Sequence, residues 1–292
     1  MQKLIYVPPG SEYGDSSNVV LQLAPPYILS ALSGTGGADI DITARALPGF
    51  SGEYVESVRA ESRIVPCTIH IEGKTREEMY RERFRLVQLL KPSETAGHLY
   101  YSNDYITLRT QAIPQKSPEF TARIRNYNKA EIKFYCPSPF WESVDENSGG
   151  VAYVDAGFEF PLEIDEMEGV IFGTLLPYAF FENEGSLNAP VRIEIKGPAT
   201  NPTIQNTTTG EKITLDREVL FGETLVISTR RGDIFVRIIH EGGTTEDAFH
   251  YITPDSEFFQ LIPGKNQIDY YTDNESEPTE VTIYYRRLFA GV

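Results

Sequence analysis

The chain carries only two cysteines, one tryptophan and four histidines in 292 residues. Cys67 and Cys136 lack CxxC spacing and sit in strand-like apolar surroundings, so they read as buried free thiols rather than a redox pair or metal ligands. His70, His98, His240 and His250 are scattered, and His240-Glu241 has no second histidine placed as a zinc-protease helix requires. A GxSxG turn and a GxxxxGK[ST] loop are both absent, and the GTGG run at 34–37 stands apart from any strand-helix unit that would aim amides at a phosphate. No apolar stretch approaches the ~20 residues of a membrane span, and the opening MQKLIYVPPGSEYGDS lacks the apolar core of a signal peptide. The sequence thus predicts a soluble product with no membrane insertion, no catalytic residue, no metal ligand and no cofactor, and hence not an enzyme. Carboxylates are plentiful, yet a glycosidase pair is defined by separation in space, which spacing along a chain does not give. Asp273-Asn274-Glu275-Ser276-Glu277 offers oxygen ligands without the spaced positions and glycine of a calcium loop, and reads as a solvated acidic turn. Asn206-Thr207-Thr208 and Asn274-Glu275-Ser276 match glycosylation acceptors, which carry no weight without a secretion signal.

Positive charge is scarce in one half only. Residues 1–141 hold 16 Lys+Arg against 15 Asp+Glu, net +1, whereas 142–292 hold 10 against 27, net −17. A surface so acidic repels phosphate backbones, which excludes direct nucleic-acid binding by the second half. The length suits one large or two ordinary domains, and the charge division favours two.

What is present is strand pattern. In EIKFYCPSPFW (131–141), Ile132, Phe134 and Cys136 alternate with polar or outward positions until Pro137 and Pro139 stop the ladder, and the lone Trp141 follows. Cys67, Ile69 and Ile71 alternate earlier, while HLYY (98–101) and YITLRTQA (105–112) flank the hairpin signal Ser102-Asn103-Asp104. One α-helix is expected over about 75–90: Thr75 caps it, Glu78 completes a capping box, and Pro92 lies past its end. Met79, Tyr80, Phe84, Val87 and Leu90 supply one apolar stripe to pack on a sheet, with Arg76, Arg81, Arg83 and Arg85 populating a solvated or interface face.

The second half shows no helix. Val191, Ile193 and Ile195, then Leu225 and Ile227, Ile234 to Ile239, and Val281 to Tyr285 alternate between turn signals such as Asn201-Pro202, Thr209-Gly210 and Gly242-Gly243. Many short strands with regular turns indicate a β-sandwich. Residues 142–157 (ESVDENSGGVAYVDAG) have the composition of a linker. The expected organisation is therefore a mainly β protein: 1–141 as one β-sandwich-like domain with one helix, 142–157 as linker, and 158–292 as a second β-sandwich. Trp141 is expected to pack at the junction.

These stretches, in order, resemble a family. RIVPCTIHIEGKTREEMYRERFRLVQLLKP (63–92), GHLYYSNDYITLRT (97–110) and FYCPSPFW (134–141) resemble the first domain of distal tail (Dit) proteins of long-tailed bacteriophages. ENEGSLNAPVRIEIKGPATNPTIQNTTTGEKITL (182–215), LFGETLVIST (220–229) and FFQLIPGKNQIDY (258–269) resemble the sandwich domain appended in the same proteins. The resemblance implies a structural virion protein that forms a homo-hexameric ring between the tail tube protein and the tail-tip, receptor-binding proteins. It places the protein at the virion tail tip after synthesis in the bacterial cytoplasm, with a galectin-like or carbohydrate-module-like second domain facing outward. The nearly neutral first domain can then pack on copies of itself while the acidic second domains spread into solvent.

Two groups of residues are candidates for contacts. Residues 38–60 show a short alternating run with Ile40 and Ile42, a Pro48-Gly49 and Ser51-Gly52 turn region, and a second run with Tyr54 and Val55, and read as an inter-subunit arm or an internal hairpin. Tyr270, Tyr271, Tyr284 and Tyr285 are candidates for stacking on a host-surface saccharide, the basis of a carbohydrate-binding alternative. Adjacent strand residues face opposite ways, so one ring of each pair is expected outward.

Overall fold

A computed structural model of the chain describes residues 2–15, 17–49, 51–152, 154–155, 174–175, 177–273 and 279–292, with the backbone alone for 122–124, 152, 154–155 and 174–175. Two sequence expectations fall partly beyond these: much of the acidic turn and acceptor at 274–277, and the start of the second domain at 158–173. The chain is mainly β and forms two compact units, Met1–Val144 with Leu288–Val292, and Asp145–Arg287.

The first unit contains β1 (Lys3–Val7), β2 (Val19–Leu21), β3 (Tyr27–Leu32), β4 (Ile40–Ala46), β5 (Glu53–Ala60), β6 (Arg63–Glu72), α1 (Arg76–Leu89), β7 (Gly97–Ser102), β8 (Thr107–Pro114), β9 (Glu119–Ile124), β10 (Tyr127–Cys136) and β11 (Trp141–Ser143). Its large sheet runs β2-β1-β7-β8-β10-β6-β3, with β9 beside β10 and β11 beside β8. The alternation read at 131–136 is real: Ile132 lies opposite Cys67 and Phe134 opposite Val65 in an antiparallel β6–β10 ladder. Leu4, Tyr6, Val65, Ile69, Leu99, Ile132, Phe134 and both cysteines form one core. Ser102 pairs with Thr107 at the hairpin where Ser102-Asn103-Asp104 signalled a turn.

The helix starts where its cap predicts. Thr75 accepts a hydrogen bond from Glu78 N at 3.1 Å, and the Glu78 carboxylate accepts from Lys74 N at 2.7 Å, so two otherwise orphaned amides are satisfied. Its faces differ from the expected stripe. Met79, Leu86 and Leu90 are buried toward β6 and β10, whereas Tyr80, Phe84 and Val87 are exposed. At 100° per residue, positions 79, 86 and 90 fall within about 40° of one another, and 80, 84 and 87 form a second stripe about a quarter-turn away. One apolar stripe was expected; the helix has two, and only one belongs to the buried core.

The second unit is a two-sheet sandwich. Asn147–Ala152, Glu280–Tyr285, Ala189–Lys196, Thr224–Arg230, Asp233–Ile239 and Thr245–Asp247 follow one another in one sheet, and Tyr178–Asn183, Gly264–Tyr271, Thr203–Asn206 and Lys212–Thr214 in the other. Ile193, Ile227, Val236 and Ile283 of the first sheet share a core with Phe181, Ile204, Ile268 and Tyr270 of the second.

The structure departs from the expected linker at 142–157. Glu142 and Ser143 pair with β8, and Asn147–Ala152 pair with Glu280–Tyr285. Gly149 in this run has a packing role: a Cβ on it would lie 2.8 Å from the Phe181 ring. Residues 153, 156 and 157 lie outside the described residues. The final strand, Leu288–Phe289, returns to the first unit and pairs with β11, Trp141 lying opposite Phe289. Trp141 is wholly buried in the core of that unit.

Candidate assembly surface

β4 and β5 pair only with each other, as a two-stranded sheet separate from the rest of the first unit. The register sets Ile40 opposite Ala60, Ile42 opposite Val58, Ala44 opposite Val55 and Ala46 opposite Glu53. Side chains alternate across a sheet, so Ile40, Ile42, Val55 and Val58 share one face with Ala44, Ala46 and Ala60. The other face is polar, with Arg45 on Glu56 at 3.0 Å and Arg59 on Asp41 at 3.7 Å. The apolar face is not internal. Ile40 is 62% exposed, Ile42 58% and Val58 62%.

Of the arm residues expected from sequence, Ile40, Ile42 and Val55 come together on this face, and Tyr54 lies on the opposite one across from Arg45. Val58 was missed for a physical reason. It lies three positions beyond Val55, which in a regular strand puts the two on opposite faces; the register shift between Thr43 and Ala44 leaves Glu56 without a cross-strand counterpart, a β-bulge that returns Val58 to the apolar side.

A buried guanidinium holds the root of the hairpin. Arg63, first residue of β6, is 3% exposed. It donates to Gly34 O at 2.7 Å, Pro139 O at 2.7 and 3.0 Å, and Ala290 O at 2.8 Å, and also to Gly36 O. Its carbon lies 5.6 Å from the centre of the Trp141 ring, whose indole N–H donates to Thr35 O at 3.2 Å. No carboxylate is among these partners, and burial lowers the Arg63 pKa from its ordinary value. Gly34 is required here: its φ is +75°, and a Cβ would meet Ile64 O at 2.2 Å. Glu61 N donates to Asp39 O at 2.8 Å and closes the two strands where they leave the unit.

The four tyrosines form no common platform. Tyr270 and Tyr285 are buried, the latter donating to Glu182 O at 2.9 Å. Tyr271 is exposed on one sheet of the sandwich and donates to Asp269 at 3.1 Å; Tyr284 is on the other sheet, beneath the Arg192 guanidinium at 4.1 Å. One ring of each pair is thus outward, on opposite faces of the sandwich. Among the described residues, no three His, Cys, Asp or Glu side chains are arranged to hold a metal ion. His240 instead bridges two carboxylates, with Nδ1 2.8 Å from Glu223 and Nε2 3.4 Å from Glu246, which is itself 2.8 Å from Arg217. Burial pushes the Cys67 and Cys136 thiols up to about 12.

Comparison with known proteins agrees with this architecture. Residues 184–289 match the model of the siphovirus-type tail component, C-terminal domain. No curated protein matches the chain in sequence. Among solved structures, the Dit (gp 19.1) protein of phage SPP1, described as a paradigm of the hub adsorption apparatus in phages infecting Gram-positive bacteria, superposes with a TM-score of 0.65 at 14% identity over 99% of each chain. A chain of the phage p2 baseplate, activated with calcium, gives 0.54 at 12% identity over 100% of this chain and 99% of that one. Residues 184–289 thus match the siphovirus-type tail component, C-terminal domain, and the chain as a whole shares the fold of the Dit protein of phage SPP1.

Proposed function

We propose that this protein is a structural hub of a phage tail tip, made in the bacterial cytoplasm and built into the virion as a homo-hexameric ring that joins the tail tube to the host-recognition apparatus. The observation that carries the reading is the β4–β5 hairpin, whose apolar face is exposed in the single chain. A two-stranded hairpin alone is marginally stable in water, and apolar area gains about 25 cal/mol per Å² on burial, so such a face is built to be covered. A patch that meets a different patch on the next copy closes into a ring when its rotation permits. The fold likeness to hub and baseplate chains supports the same role, and the acidic second unit suits a place in solvent around the ring. The role is structural rather than catalytic; its partners are further copies of itself, the tail tube protein and the tail-tip proteins.

Light scattering with negative-stain imaging of the full chain tests this. Closed rings are expected from a heterologous contact, of about six subunits if the resemblance to distal tail proteins holds. Deleting residues 45–54 is expected to convert rings to single chains with the two units still folded; an undisturbed ring removes the arm from the account. A strict monomer in all conditions contradicts the ring. Binding of the full chain to a glycan array would then favour a saccharide-binding role, for which the divergent tyrosines give no support.

A further inference from the structure

The second exposed apolar surface of the first unit is on α1. Phe84 is 66% exposed, Tyr80 42% and Val87 36%, in a row along the helix that the unit's own core does not use. Turned helix faces of this kind mark contact surfaces when several large side chains adjoin. We propose that this stripe is the receptor for the arm: the apolar face of β4–β5 of one copy lies on Tyr80, Phe84 and Val87 of the next. The inference rests on the ring reading and adds the surface that receives the arm.

Three features of the unit favour this occupant. The two patches differ, as the contact of a closed ring requires, whereas an arm paired with an identical arm would end at two copies. The small residues Ala44 and Ala60 beside Ile42 and Val58 leave shallow relief on the hairpin face, which suits a flat phenylalanine ring. The charges are complementary as well. Residues 39–61 hold five carboxylates against Arg45 and Arg59, while 76–91 hold Arg76, Arg81, Arg83, Arg85 and Lys91 against three glutamates. Arm on arm would set negative against negative; arm on helix sets net negative against net positive, which selects the register of approach.

Cysteine cross-linking between full chains tests the pairing. Chains carrying Ile42→Cys are mixed with chains carrying Phe84→Cys, allowed to assemble, and oxidised with a copper–phenanthroline reagent that accepts the two electrons and two protons released as the disulfide forms. A cross-linked dimer is expected in the mixture and in neither variant alone, and the double variant is expected to give a ladder ending at the ring. Cys67 and Cys136 are buried with thiols held near 12, so the parent chain is expected to stay uncross-linked. As a second readout, Phe84→Asp is expected to disperse the rings while leaving the circular dichroism of the chain unchanged. Rings that persist in Phe84→Asp, or Ile42→Cys chains that couple to one another, overturn the inference and leave the ring reading standing. The absence of rings in the parent chain overturns both.

Discussion

Arg63 shows how one side chain ties distant stretches of sequence together. Its carbonyl partners lie 29, 27, 76 and 227 residues away, in the run before β4, the turn before β11 and the chain end. The guanidinium's planar fork reaches four acceptors at once, which an ammonium cannot match. Arg63→Met is expected to destabilise the first unit by about 3 kcal/mol, because several carbonyls are left without a donor where water is excluded. Arg63→Lys is expected to recover only part of the loss. Urea unfolding followed by the fluorescence of Trp141, which lies against Arg63 in the same unit, measures both. A loss below about 1 kcal/mol for Arg63→Met would show that the carbonyls find other donors. Nothing in the sequence marks this residue: RIVPCTIHIE reads as a strand with one solvated arginine at its start. Its role depends on which carbonyls the fold brings to it, and local pattern does not carry that. Trp141 was expected at a domain junction and instead lies in the core of the first unit, because its partner strand comes from residues 288–289.

At the scale of elements, periodicity and punctuation were reliable, whereas the faces of the helix and the hairpin were not. Thr75, Glu78 and Pro92 bounded α1 because capping is local chemistry, and the alternation in β6 and β10 gave the buried side correctly. The helix stripe failed because Met79 and Tyr80 are adjacent and both apolar, so their spacing to Phe84, Val87 and Leu90 fits either face. Burial decides, and it yields a clean contrast. Leu86→Ala is expected to cost about 3 kcal/mol of subunit stability by leaving a cavity, whereas Phe84→Ala stays within about 0.5 kcal/mol when measured on dispersed single chains. Equal losses at the two positions would mean that Phe84 packs inside its own subunit. The hairpin was legible as two runs around a turn, but its bulge at Glu56 was not, and one bulged residue changes the face of everything beyond it. The run at 142–157 was read as a linker from its composition, and Gly149 within it makes room for the Phe181 ring.

For the whole molecule, the charge division reflects a difference between the units that the fold preserves. The first unit carries two exposed apolar surfaces and little net charge; the second buries a sandwich core, exposes single apolar side chains such as Phe221 and Phe180, and holds most of the acidic residues. Near-neutrality lets copies of the first unit pack closely without large repulsion, whereas the acidity of the second disfavours crowding its copies together. The imbalance pointed to two parts of different charge, but the return of 288–292 to the first unit was not legible, since a two-residue strand has no periodicity to read. Whether β4–β5 leaves its own subunit to complete a neighbour is decided by cryo-electron microscopy of the assembled full chain. Closed rings of about six copies are expected, in which the density of each β4–β5 hairpin lies across the next subunit, its apolar face on α1. Single chains, or rings in which the hairpin folds back on its own subunit, would contradict it.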